Sequence, residues 1–185
     1  YFYRGYETNG IDAGMKVLAA YLDDPRCLTS KRQEIERRLK GIATLVTGTK
    51  APDISLTDEQ GGVFNLYDYG VPGNYILVLF WSADCPHCEE MTEILYPWWQ
   101  QEEVRKKLTV IAISPDETET EIAAWKQKTK QYTGWKHLHA PEGVRSKAAS
   151  DYYILATPEM FLLDATTRQI IANPKSMVEL KENLQ

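Results

Sequence analysis

Tyr75-Ile76-Leu77-Val78-Leu79-Phe80-Trp81-Ser82-Ala83-Asp84-Cys85-Pro86-His87-Cys88 decides the reading of this chain. Seven apolar or aromatic residues run unbroken into a short polar turn, and a Cys-x-x-Cys pair follows. Uniform apolarity from Tyr75 to Trp81 suits a central strand covered on both faces. A strand ending where a helix starts puts Cys85 at the positive end of that helix, where unpaired backbone N–H groups favour an anionic sulfur. Cys88 lies one turn along, and helix neighbours at that spacing stand roughly 5 to 6 Å apart, within the Cα separation a disulfide accepts. The context points to redox chemistry, with Cys85 as nucleophile and Cys88 as the partner that opens and closes the pair.

A length of 185 residues, 43% hydrophobic and 25% charged, suits one domain plus an appendage. The formal charge of −5 leaves no cationic excess to neutralise a phosphate backbone, which argues against nucleic acid as a partner. The longest apolar run falls far short of the ~20 residues of a membrane span. The chain starts at Tyr1 without a basic, apolar leader, so it reads as a mature or trimmed soluble segment. Three cysteines are few for a structural disulfide framework. Cys27, beside Asp23, Asp24 and Pro25, reads as a small half-buried loop residue, with a resolving thiol as the alternative.

Ile11, Met15, Leu18 and Leu22 recur at helical spacing until Asp24-Pro25 interrupts them. Ser30 with Gln33 resembles a capping box; Ile35, Leu39, Ile42 and Val46 form the next apolar stripe, and Gly48 is its C-cap. Residues 1–47 are therefore expected to form a helical hairpin extension. It cannot bury its own faces, and it needs the main domain, a partner or a further domain against which to pack.

Residues 48–185 are expected to form the main domain. Asp53–Thr57 and Val63–Leu66 predict a hairpin, and the helix opened by the cysteines runs on to Trp99 with a kink at Pro97. Leu108–Ser114 reads as a second buried strand and Thr118–Lys130 as a helix. Trp135–His139 reads as a short strand and Val144–Tyr152 as another helix. Met160–Leu163 and Gln169–Ala172 pair across the Asp164–Arg168 turn, and Ser176–Leu184 closes the chain as a helix. This is an α/β order.

Four stretches carry a resemblance: Gly48-Thr49-Lys50-Ala51-Pro52-Asp53, Val78–Trp81 with Cys85 and Cys88, Ile111–Ser114, and Ala156-Thr157-Pro158 through Asp164. Together they resemble the thioredoxin fold, and within it the TlpA/ResA-like thiol-disulfide oxidoreductases related to the AhpC/TSA group. The resemblance implies a central mixed sheet flanked by helices, here with the N-terminal helical extension added. It also implies that Pro158 is a cis-proline packed against the cysteine pair, turning Thr157 so that its backbone can bind an extended substrate. Trp81, Pro86, His87, Thr157 and Pro158 are then expected to border the docking groove. The implied partners are protein thiol or disulfide substrates and a redox partner protein, in an extracytoplasmic setting such as the bacterial periplasm. No metal is expected, and no cofactor beyond the Cys85–Cys88 disulfide itself.

The chain departs from the family pattern at places that matter. Leu79 stands where thioredoxins keep a buried acid, and Met91 where the TlpA/ResA-like group often has a glutamate, with Glu90 and Glu93 only nearby. No general base is assigned. Pro86-His87 between the cysteines matches DsbA-like oxidases, whereas many TlpA/ResA-like proteins are reductants, so the direction of electron flow stays open. An imidazole of His87 near the sulfur favours the Cys85 thiolate; Asp84, Glu89 and Glu90 oppose it.

Other readings fit less well. A peroxiredoxin needs Pro-x-x-x-Thr-x-x-Cys, and Val78 and Ser82 occupy those positions. Structural zinc wants four ligands, and no second close cysteine pair exists; His137 and His139 read as loop or surface residues. Glu89 after Cys88 excludes c-type haem attachment. A non-catalytic interaction module remains, in which Trp98, Trp99, Trp125 and Trp135 supply contact area, although their spacing favours core packing.

Overall fold

A computed structural model describes residues 16–17, 19–24, 26, 32, 36, 41–58 and 61–184. The chain divides into two compact units, Tyr1–Val46 and Thr47–Gln185. In the first, residues 19–23 are helical and end at Asp24, whose carboxylate accepts the Arg26 N–H at 2.9 Å and holds its guanidinium at 2.7 Å. Ala43–Leu45 forms a 3-10 turn. Residues 16–17, 32, 36 and 41–42 are helical as well; the Ser30–Gln33 capping box and Cys27 lie outside the described residues.

The second unit is built on a five-stranded mixed sheet. Its middle strand is β3 (Tyr75–Phe80), five of whose six residues are buried. It pairs in parallel with β4 (Leu108–Ser114) and antiparallel with β6 (Glu159–Asp164). Beyond them lie β5 (Lys136–His139), parallel to β4, and β7 (Ile170–Ala172), antiparallel to β6, giving the order β5-β4-β3-β6-β7. With neighbours on both edges and cover on both faces, β3 has no side in water, which is why its sequence is uninterrupted by polar residues. Each fully buried Leu or Val there contributes about 1.5–3 kcal/mol. A separate hairpin pairs β1 (Ser55–Thr57) with β2 (Val63–Asn65).

The helices of this second unit, among the described residues, are α1 (Pro86–Trp99), α2 (Glu102–Lys107), α3 (Glu119–Thr129), α4 (Lys147–Asp151) and α5 (Met177–Glu182). Helix α1 runs through Pro97 and ends with the Gln100 N–H on Tyr96 O at 3.0 Å. Thr118 and Glu121 form a reciprocal capping box that starts α3. The single helix expected over 144–152 is two pieces, a 3-10 turn Gly143–Arg145 and then α4. Ser146 between them is extended (φ −54°, ψ 151°), and its hydroxyl caps the second piece through the Ala149 N–H.

Alternation along β3 sorts the core. Leu77, Leu79 and Trp81 join Met91, Leu95 and Trp99 of α1 and Leu180 of α5 on one face. On the other, Phe80 packs at 5.4 Å from Tyr152, which meets Phe161 edge-on at 5.0 Å. Trp99, Trp125 and Trp135 are buried, and Trp98 is half-buried beneath the Lys181 ammonium. The tryptophans thus serve mainly as core. Gly134 closes the aromatic cluster at φ +92°, where an added Cβ would stand 2.7 Å from the Trp99 ring.

Register sets what meets at the end of the sheet. Phe80 lies opposite Ile113 on β4 and opposite Glu159 on β6. The turn after β3, the residues after β4 and the residues before β6 therefore converge on one edge.

Candidate active site

Cys85 occupies the N-cap of α1 with extended backbone (φ −92°, ψ 114°), and its Sγ accepts the Cys88 N–H at 3.4 Å. Pro86 takes the first helical position, where its missing N–H leaves nothing unsatisfied. Across the edge, Cys85 Sγ lies 3.4 Å from the carbonyl oxygen of Thr157, to which its S–H donates. The Thr157–Pro158 peptide is cis. Both thiols are free. Cys85 is half-buried, whereas Cys88 is sealed at 0% exposure. Burial pushes the Cys88 thiol up to about 12, with the Thr157 contact and the Ser82 N–H, 3.5 Å from its Sγ, pulling weakly the other way. An accessible sulfur on a helix N-terminus beside a buried, protonated one is an arrangement suited to attack by the first and delayed attack by the second.

Thr157 and Pro158 are half-buried beside Cys85, and Pro86 is exposed on its other flank. One expected rim residue is placed differently. Trp81 is only 1% exposed and stands edge-on to Tyr132 at 5.7 Å, so its ring supports the site from the core instead of lining a groove. It shares the parity of Leu77 and Leu79 along the strand, which directs it inward. The His87 side chain is 83% exposed, and its Nδ1 faces Glu90 Oε2 at 3.6 Å. Of the nearby acids, Glu89 is neutralised by Lys128 of α3 at 2.5 Å, and that contact raises the lysine pKa.

Leu79 and Met91, at the positions of the missing acids, are both buried in the apolar core. A buried carboxylate is nonetheless present. Asp116, 4% exposed just beyond β4, accepts from Ser82 Oγ at 2.5 Å and Ser114 Oγ at 2.8 Å. Sequence reasoning passed over it because it lies in a loop; the signal available was the parallel pairing of β3 with β4, which brings residues 82 and 116 to one edge. A second acid, the half-buried Glu159, follows Pro158 directly and pairs with Lys175. Burial raises its carboxyl pKa and Lys175 draws it back.

His137 and His139 are not surface residues. They are buried and half-buried, with Nε2 on the carbonyls of Tyr132 (3.0 Å) and Asp116 (2.7 Å) respectively.

Residues 47–171 match the AhpC/TSA family. A thioredoxin-like protein from Bacteroides caccae superposes with a TM-score of 0.75 at 22% identity, covering 96% of this chain, which spans only 65% of that protein. The thioredoxin domain of a thiol-disulfide oxidoreductase from Bacteroides vulgatus matches 76% of this chain and 99% of its own length at 25% identity, with a TM-score of 0.61. A domain of a possible thiol-disulfide isomerase from Cytophaga hutchinsonii matches at 30% identity and TM-score 0.61, over 76% of this chain and 91% of its own. No curated protein matches. Family match, sheet order and named relatives agree: the chain belongs to the AhpC/TSA family, as a thioredoxin-fold member of the TlpA/ResA-like group.

Proposed function

We propose that the protein is a thiol-disulfide oxidoreductase that exchanges disulfides with protein substrates through Cys85 and Cys88. The observation that carries this reading is the asymmetry of the pair: a half-buried Cys85 Sγ at the mouth of α1, receiving the Cys88 N–H, beside a fully buried Cys88 thiol. The Cys85 thiolate attacks one sulfur of a substrate disulfide; that bond breaks, and the leaving sulfur departs as a thiolate and takes up a proton. Cys88, once deprotonated, attacks Cys85 Sγ and releases the second substrate sulfur. The substrate gains two electrons and the protein is left with a Cys85–Cys88 disulfide. The same steps run backward for oxidation, and the potential of the pair against its surroundings sets the direction.

Thr157 and Pro158, at the flank of Cys85, border the groove for an extended substrate segment. A partner protein resets the pair after each turnover. An extracytoplasmic setting agrees with the resemblance to the TlpA/ResA-like group, and disulfide exchange persists where the compartment is oxidising. Residues 1–47, with their two apolar stripes, serve as a helical extension for a partner or a further domain. The test is trapping. A Cys88→Ser variant accumulates mixed disulfides with substrate on Cys85, and a Cys85→Ser variant accumulates none. A Cys88→Ser protein that forms no adduct in an oxidised extract, together with a parent inert in insulin reduction and oxidative refolding, sinks the proposal in favour of a binding module.

A further inference from the structure

Asp116 takes no part in the exchange steps, yet it is 4% exposed. A carboxylate is costly to bury unless several donors reach it. Here Ser82 Oγ stands at 2.5 Å, Ser114 Oγ at 2.8 Å and the Ala83 N–H at 3.5 Å. Two of the three come from the turn that leads into Cys85. Ser82 is in turn engaged on every side. Its hydroxyl accepts the Asp84 N–H at 3.4 Å, its carbonyl accepts the Cys85 N–H at 3.4 Å, and its own N–H donates to Cys88 Sγ at 3.5 Å.

We propose that Asp116 is a positioning residue for Cys88: by holding the Ser82 hydroxyl it aims the Ser82 N–H at the Cys88 sulfur during resolution of the mixed disulfide. The inference rests on the exchange chemistry proposed above. In that step the Cys88 S–H loses its proton to a solvent base, and the thiolate forms a bond to Cys85 Sγ. The bond from Cys85 to the substrate sulfur breaks, and that sulfur leaves with the electron pair and is protonated by solvent. A hydrogen-bond donor held at Cys88 Sγ favours the anion on which the step depends. If that donor swings away, the thiolate fraction falls while its nucleophilicity rises. A tenfold loss of thiolate then leaves the step about threefold slower.

The experiment follows the reaction of the reduced full chain with dithiobis(nitrobenzoate) in a Cys27→Ser background. The first thionitrobenzoate released marks attack by Cys85; the second, independent of reagent concentration, marks resolution by Cys88. Asp116→Ala is expected to lower the ratio of second to first rate about threefold. Asp116→Asn, which keeps an oxygen for Ser82, recovers most of that loss. Ser82→Ala reproduces the Asp116→Ala effect, and the double variant is no slower than either, because the two residues act as one unit. An unchanged ratio in Asp116→Ala or Ser82→Ala overturns the inference, as does an Asn variant as slow as the alanine. Should Asp116→Ala fail to fold, Ser82→Ala and Asp116→Asn decide the matter. Absence of any second release from the parent overturns the exchange chemistry itself, and this inference with it.

Discussion

The Sγ of Cys85 and the carbonyl oxygen of Thr157, 72 residues apart in the chain, lie 3.4 Å from each other. The antiparallel pairing of β3 with β6 creates this neighbourhood, since Phe80 faces Glu159 and the residues just beyond each strand end lie side by side. While Cys85 is a thiol, its S–H satisfies that carbonyl. When it becomes a thiolate the donor is gone, and the carbonyl is free to accept an N–H from a docked chain. The Cys85 S–H and a docked substrate N–H thus compete for one oxygen atom, and forming the thiolate favours docking.

The two sulfurs are expected to differ sharply toward alkylating agents. Cys88 is fully buried, and its thiol is pushed up to about 12, so roughly one molecule in ten thousand carries that thiolate at pH 8. Iodoacetamide added to the reduced, folded protein modifies Cys85 at least a hundred times faster than Cys88, and the gap closes in urea. Peptide mapping by mass spectrometry reads both sites; equal labelling in the folded protein removes the basis for assigning Cys85 as nucleophile.

Reduced protein is expected to lose stability at alkaline pH in a way that oxidised protein does not. The folded-state pKa of Cys88 is raised from 9.0 to about 12, chiefly by burial, so the fold favours the neutral thiol. Its contribution is complete below pH 9 and is lost as the pH rises through 12. By linkage the loss is on the order of 1 kcal/mol at pH 10. Urea denaturation of both redox forms at pH 8 and pH 10, with a reduced Cys88→Ser variant as reference for every other titrating group, measures it. A difference between the two redox forms that does not change with pH counts against a buried Cys88 thiol.

Lys128 is expected to tune the potential of the pair. Its ammonium holds Glu89, one residue after Cys88, at 2.5 Å. Lys128→Ala leaves that carboxylate uncompensated near Cys85, which makes the thiolate costlier and the reduced form less stable. The potential therefore moves in the negative direction. A partly exposed pair is worth about 0.5–1 kcal/mol, which corresponds to roughly 10–20 mV for two electrons. Equilibration against glutathione measures the shift; a shift toward a more oxidising potential contradicts the electrostatic account.

Features written locally in the chain were legible, and features made by chain crossings were not. The apolar run of β3 announces a strand covered on both faces, and the Cys-x-x-Cys after it announces a helix start. Helix α2 escaped notice because its residues, Glu102 to Lys107, show no apolar periodicity. It is favoured instead by acids in its first turn and bases in its last. Trp81 was readable by parity with Leu77 and Leu79, but its place next to the motif invited a surface role. Asp116 carries no local mark. Only the register of β3 against β4 makes it a neighbour of Ser82, and that register belongs to the sheet and not to any one segment.

The ion pair beside Pro158 is expected to make stability depend on pH in a specific sense. Glu159 is half-buried, which raises its carboxyl pKa, and Lys175 opposes that rise. Replacing Lys175 by Ala removes the opposing charge, so the folded-state pKa of Glu159 climbs further above its unfolded value. The fold then favours the protonated acid. Stability is retained below the unfolded pKa and falls as the pH rises through the folded one. Lys175→Ala therefore costs little at pH 4.5 and about 1 kcal/mol at pH 8, the scale of a pair whose lysine is exposed. Adding Glu159→Gln to the same chain deletes the unpaired charge and restores most of the loss at pH 8. Chemical denaturation of the parent, single and double variants at the two pH values checks both signs. A deficit in Lys175→Ala that is equal at pH 4.5 and pH 8 assigns it to lost packing of the lysine stem and not to the stranded carboxylate.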